Sequence, residues 1–420
     1  MSAPVFPNIL FGSSYVPEKR RMMIQEVYFY FEQEGSPLAN ILDYLDWRGD
    51  LSFTAAPFNE VDNLIFSQLC FLDLDNLVPD DPKNGSVRLE QAIDRYFERH
   101  PIESASLGMI VPADILKLAD RARHTARFRN VCVTGFVNQI DRNVELQFSA
   151  TTYLLGDGTG YVAFRGTDDT LVGWKEDFNM AFTPTIPAQA SATKYLNAVL
   201  SALPQALHLG GHSKGGNLAV YAAIHADPAD RTRILDVYSN DGPGFYTHML
   251  TSEAYRTMQS KIRSIVPESS IVGMLLDHEE PYRIVKSTAK GLFQHDGFSW
   301  ELIGDKFCTL QDRSDESKRV DRTLKLWLSQ MNSTERENFI DSVYDLLSAT
   351  NAQTLTELNA DRKALLASLR NIDPKTREML IKLVLLIADQ STRSFFEKKE
   401  REKDKKEKAK LPAVKKNPKA

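Results

Sequence analysis

Residues Leu207–Ala223 read "LHLGGHSKGGNLAVYAA", with four glycines gathered around a single hydroxyl. An apolar run, "ALHLGG", leads into it with the character of a strand. "GGNLAVYAAIHA" leads out with apolar residues at helical spacing. Ser213 therefore falls on the turn between a predicted strand and a predicted helix. That is the setting a G-x-S-x-G pattern needs, here Gly211-His212-Ser213-Lys214-Gly215. A turn this sharp holds the serine in a strained backbone conformation, and a Cβ at Gly211 or Gly215 would collide with the neighbouring strand or helix. The hydroxyl would stand at the C-terminal edge of a sheet and at a helix N-terminus, where developing negative charge is stabilised. The alternative is a glycine-rich turn with an idle serine.

Working outward, "VELQFSATTYLL" and "YVAFR" flank "GDGTG" and predict a hairpin. "SATKYLNAVLSAL" predicts a helix, "ILDVYSN" a strand, "YRTMQ" a helix, and "IRSIV" and "YRIVKS" two more strands. Upstream, "PFNEVDNLIFSQLCFLDL" has helical spacing. Strands alternating with helices predict an α/β fold with a mostly parallel sheet covered on both faces. After Trp300, "RVDRTLKLWLSQM", "ERENFIDSVYDLLSA", "DRKALLASLRNI" and "PKTREMLIKLVLLIADQ" are amphipathic at helical period. The expected organisation is an N-terminal extension over 1–35, an α/β domain over 36–305, a helical subdomain over 306–392 and a basic, unfolded tail over 393–420.

The chain has 420 residues, 42% hydrophobic and 25% charged, enough for a sizeable core. Its formal net charge of -5 is unevenly spread. From Glu397 onward eleven Lys/Arg stand against five Asp/Glu, leaving the rest at -11 beside a tail at +6. Such a tail suggests weak, salt-sensitive attraction to an anionic membrane, whereas the absence of aromatics among its lysines argues against nucleic acid. Three dispersed cysteines, Cys70, Cys132 and Cys308, have neither disulfide nor metal spacing. No secretory signal is evident at the N-terminus, and the longest apolar run, "MLIKLVLLIA", is too short to span a bilayer. These features predict a cytoplasmic protein that needs no metal or organic cofactor.

A nucleophilic serine needs a base and an acid, which follow it in this topology. His295, in "KGLFQHDGFSW" after "YRIVKS", is the candidate base; His248 and His278 read as solvated or structural. Asp241, in the turn "NDGPGF" after "ILDVYSN", is the candidate acid, with Glu268 as the alternative and Asp277 behind it. The backbone N–H of Lys214 and that of Thr167, after "YVAFRG", would form an oxyanion hole. Arg165 is expected to hold that loop through a buried ion pair, with Asp177 as a candidate partner.

"YVAFRGTDDTLVGWKEDFNMAF" followed by "GGHSKGGNLAVYAA" resembles the fungal-type (class three) triacylglycerol lipases and their bacterial relatives. More closely, "YLDWRGDLSF", "PFNEVDN", "SNDGPGF", "SSIVGMLL" and "QHDGFSW" resemble a bacterial lipase-like family of unknown function, over about Ile41–Met331. The resemblance implies an α/β-hydrolase fold, with Ser213 as nucleophile, His295 as base and Thr167 as oxyanion donor. The substrate would be a small-molecule ester or lipid. One departure stands out: fungal-type lipases carry the acid just before Val-Pro, and this chain has Ser264-Ile265-Val266-Pro267. "NDGPGF" looks instead like the acid turn of pancreatic-type lipases. The missing acid also admits a different class of function, a hydrolase-fold protein that binds an acyl ligand or a partner without turnover.

Overall fold

The computed structural model describes residues 39–108, 110–180, 183–315 and 317–319, with Arg322, Asp341, Tyr344, Thr354 and Glu357 beyond them. Apart from those residues, the predicted C-terminal helices lie outside the described part, as do the N-terminal extension and the basic tail. The strands are β1 (Val87–Arg88), β2 (Cys132–Asp141), β3 (Leu146–Leu154), β4 (Thr159–Phe164), β5 (Ala206–His212), β6 (Ile234–Asn240), β7 (Ile262–Pro267), β8 (Tyr282–Val285), β9 (Leu302–Ile303), β10 (Lys306–Phe307) and β11 (Thr309–Leu310). Nine of them form one sheet in the order β1-β2-β3-β4-β5-β6-β7-β8-β11, and β9 pairs with β10 separately.

The fold is mixed α/β, with a parallel centre to the sheet and antiparallel flanks. The neighbours from β4 to β8 run parallel. The pairs β1–β2, β2–β3, β3–β4 and β8–β11 run antiparallel. The cause is connection length: β2, β3 and β4 are joined by tight turns, which can return a chain only alongside itself in the opposite direction. The last strand, β11, extends the sheet to Leu310.

Helices cover both faces. On one lie α1 (Ile41–Arg48), α2 (Glu60–Leu69), α3 (Leu89–Arg99) and α4 (Asp114–His124). On the other lie α6 (Pro187–Ala202), α7 (Lys214–His225) and α9 (Glu253–Gln259), with α5 (Leu171–Met180) and the short α8 (Thr247–Leu250) beside them. Strand alternation feeds both layers: Tyr161 and Ala163 pack into the first core, Val162 and Phe164 into the second. Beyond the sheet, Lys175 of α5 pairs with Asp341 at 2.9 Å and lies over the ring of Tyr344.

Helix α2 carries polar residues into the interior. Its N-cap Asn59 accepts from the N–H groups of Val61 and Asp62, and the Asp62 carboxylate accepts from the Asn59 N–H, a reciprocal capping box. The same Asp62, fully buried, receives Arg127 Nε at 2.7 Å and Nη2 at 2.5 Å. Arg127 spends its remaining donors on the carbonyls of Leu51, Ala56 and Pro57. A charged pair is tolerable in a core only when satisfied this fully. One residue on, the amides of Asn63 and Asn240 bond each other in both directions, at 2.9 and 3.1 Å. Asn240 also donates to Ser67 and to the carbonyl of Gly211. The strand that delivers Ser213 is thereby tied from behind to α2.

Candidate active site

Ser213 occupies the turn between β5 and α7 with φ 58° and ψ -131°, a conformation unfavourable for a residue with a Cβ. Its N–H donates to the Asn240 carbonyl at 2.9 Å, and its own carbonyl accepts from Gly216. The glycines of the motif are dictated by space. A Cβ on Gly215 would lie 2.0 Å from the Phe164 carbonyl oxygen, and one on Gly211 would lie 2.4 Å from the same atom. Gly166 abuts the turn, since a Cβ there would come within 2.7 Å of the His212 carbonyl and 3.4 Å of Ser213 Cβ. The loop carrying Thr167 is thus held directly against the serine.

His212 and Asn240 are register partners on β5 and β6, so Ser213 and Asp241 leave the sheet side by side. Asp241 is fully buried and, like Ser213, has a positive φ, here 51°. Its Oδ2 lies 2.6 Å from His295 Nδ1, and its Oδ1 accepts from the Ser270 hydroxyl at 2.5 Å. His295 sits at the end of a short 3-10 turn, Gly291–His295, and retains 27% side-chain exposure. Because a carboxylate only accepts, Nδ1 carries the proton toward Asp241 and Nε2 is left to accept. Glu268, the alternative acid, follows β7; its N–H bonds the Val285 carbonyl. Among the described residues the carboxylate paired with His295 is that of Asp241. Asp277 pairs through its backbone with Phe245, and His248 lies exposed on α8.

His212 has a role the motif alone does not reveal. Its ring stacks near that of His295 with centroids 4.6 Å apart, and its Nε2 donates to the His295 carbonyl at 2.7 Å. Burial, followed by the charge of His295, pushes its pKa down to about 3, against a weaker pull from Asp241. It stays neutral while it holds the backbone of its neighbour.

Thr167 and Lys214 are joined through α5. The Thr167 hydroxyl donates to Asp177, and the Lys214 ammonium lies 3.9 Å from the same carboxylate. Lys214 is buried, bonding Glu176 at 2.9 Å, the Gln147 carbonyl at 3.0 Å and the Gln147 side chain. Burial pushes the Asp177 carboxyl up to about 6 despite Lys214 and Thr167. The Arg165 expectation is corrected here: its partners are Asp168 at 2.8 Å and Asn138 at 3.0 Å, not Asp177. Asp168 lies three residues away, within reach of a chain turning at Gly166, whereas Asp177 faces Thr167. Sequence reading missed Ser270, Gln147 and Glu176, whose partners come from distant elements. Among the described residues no cluster of His, Cys, Asp and Glu could hold a metal ion, and all three cysteines are free.

An α/β sheet with a serine at a strained strand-to-helix turn and an Asp–His pair on the adjacent strand end describes a lipase-like protein. The Mbeg1-like family model matches residues 122–345, just over half of the chain, and the chain belongs to that lipase-like family. Among solved structures it is similar to the native Rhizomucor miehei lipase propeptide complex, with 15% identity and a TM-score of 0.29. That likeness covers 41% of this chain, which spans 59% of the other's length. No curated protein matches the chain. Among the described residues, no helix is long and apolar enough to cross a membrane.

Proposed function

We propose that this chain is a serine hydrolase of the α/β-hydrolase type that cleaves a carboxylic ester through an acyl-enzyme on Ser213. The observation that carries the reading is the 2.6 Å pairing of His295 Nδ1 with Asp241, beside a serine held at φ 58°. His295 Nε2 takes the proton as Ser213 Oγ attacks the ester carbonyl, and returns it to the departing alkoxide. Asp241 fixes the tautomer and stabilises the imidazolium. The N–H groups of Lys214 and Thr167 receive the oxyanion, each such donor contributing ~3 kcal/mol to the transition state. Water, activated by His295, then releases the acid. The absence of an acid at Ser264–Pro267 favours the non-catalytic reading, whereas the pairing of Asp241 with His295 supports the catalytic one.

A fluorophosphonate probe tests the proposal. Wild type is expected to be labelled at Ser213 and to hydrolyse short activated esters, and Ser213→Ala and His295→Ala to lose turnover by on the order of 10⁶. A folded wild type that takes no label would sink the enzymatic reading.

A further inference from the structure

His278, set among charges in "LLDHEEP", is not solvated. Its side chain is 8% exposed, with Nδ1 3.0 Å from Glu280 Oε1 and Nε2 2.6 Å from the Gly273 carbonyl. Glu280 in turn accepts the hydroxyls of Ser264 and Tyr255. Burial would raise the Glu280 carboxyl, but the hydrogen bond and charge of His278, with Ser264 and Tyr255, outweigh it and hold its pKa at about 2. Both ring nitrogens of His278 thus face oxygen atoms, which fixes the orientation of the ring. Turning the ring over would set carbon atoms against both partners and forfeit both bonds.

The position of this ring connects it to the candidate acid. Gly273 lies in the 3-10 turn Val272–Met274, and a Cβ on it would come 2.3 Å from Asp241 Oδ1. Its Cα therefore rests on the Asp241 carboxylate, in the same turn segment as Ser270, which donates to that oxygen. On its other side the His278 ring packs on Gly244, where a Cβ would meet ring Cδ2 at 3.0 Å. Gly244 and Phe245, in the turn that Asp241 opens, donate their N–H groups to the carbonyls of Leu275 and Asp277. His278 thus spans the two segments that enclose Asp241.

We propose that His278 is a positioning residue for the triad acid, a buried ring whose two polar contacts pin Gly273 and Ser270 over Asp241 so that its second oxygen stays on His295. The inference rests on the reading of Asp241 as that acid. The test is nitrogen and low-field proton NMR on the full chain, alongside kinetics on a short activated ester. In wild type at pH 7 the His295 Nδ1 proton is expected to be visible downfield. In His278→Gln that His295 proton should be lost to exchange, and kcat should fall about tenfold with KM within about twofold, the pattern of a contact needed only in the transition state. Glu280→Gln, which keeps the shape but weakens the contact with His278 Nδ1, should act in the same direction and serves if His278→Gln does not fold. An unchanged His295 proton in both variants overturns the proposal. A wild type with that proton visible but no turnover would defeat the hydrolase reading alone.

Discussion

His212 offers a quantitative test of how the site is held. Its pKa is pushed from 6.5 down to about 3, with burial as the main cause. An unfolded chain regains the ordinary value, so below pH 6.5 the unfolded state binds a proton that the folded state refuses. The associated stability is fully present above pH 6.5 and is lost as pH falls toward 3. Each unit of that interval costs ~1.4 kcal/mol, so at pH 5 the wild type should have lost ~2 kcal/mol through this residue. In His212→Gln the side-chain amide can still donate to the His295 carbonyl but does not titrate. Urea unfolding followed by tryptophan fluorescence, on both proteins at pH 8 and pH 5 in equal salt, gives the double difference in which groups not coupled to His212 cancel. The variant should gain ~2 kcal/mol on the wild type between the two pH values, whatever its offset at pH 8. A difference that stays constant to within about 0.5 kcal/mol would refute the reasoning, since His212 would then not be a buried neutral donor.

Asp241→Asn should lower ester turnover by several orders of magnitude, ~10⁴ being typical for a misoriented imidazole, and Glu268→Gln should barely change it; a side-by-side assay with the reverse ranking would move the acid to Glu268. Gly215→Ala would drive a Cβ to 2.0 Å from a backbone oxygen, so probe labelling at Ser213 should disappear even in whatever fraction folds; normal labelling would contradict the packing described. Asp62→Ala strands the buried Arg127 guanidinium and should cost ~3–5 kcal/mol in chemical denaturation, a loss under ~1 kcal/mol being incompatible with a sealed pair. The tail from Glu397 is expected to add only reversible attraction to anionic vesicles, each unpaired lysine contributing ~1 kcal/mol or less. Equal sedimentation of the full chain and one ending at Phe396, at low salt, would dispose of that idea.

The centre of the sheet was legible because its signals are local. Strand β5, the glycine-framed turn and α7 lie within 20 consecutive residues, and the hairpin β3–β4 announces itself through "GDGTG". Strand β2 was not legible: Gly135, at φ 64°, falls inside a register shift between Thr134 and Val137, which breaks the alternation a strand should show. The same contrast holds for the site. Ser213, Asp241 and His295 each follow a readable strand. The groups that hold them do not, because Ser270, Gly273 and His278 acquire meaning only when two turns fold over one carboxylate. Asp177 is a candidate partner for Arg165 in the sequence, but the geometry of the loop favours Asp168.

The amide pair of Asn63 and Asn240 joins residues 177 positions apart, and only one of the two lies within the stretch that matches the family. Asp62 and Arg127 straddle the same boundary. The region that marks kinship is therefore not a self-sufficient folding unit. A fragment cut at residue 122 would keep every proposed catalytic group and yet lose the helix that braces the serine's strand from behind. In such a piece the Asn240 amide would lose Asn63 and the Arg127 guanidinium would lose Asp62. The part of the molecule that carries the proposed site and the part that matches the family overlap, but neither contains all of what holds the serine's strand.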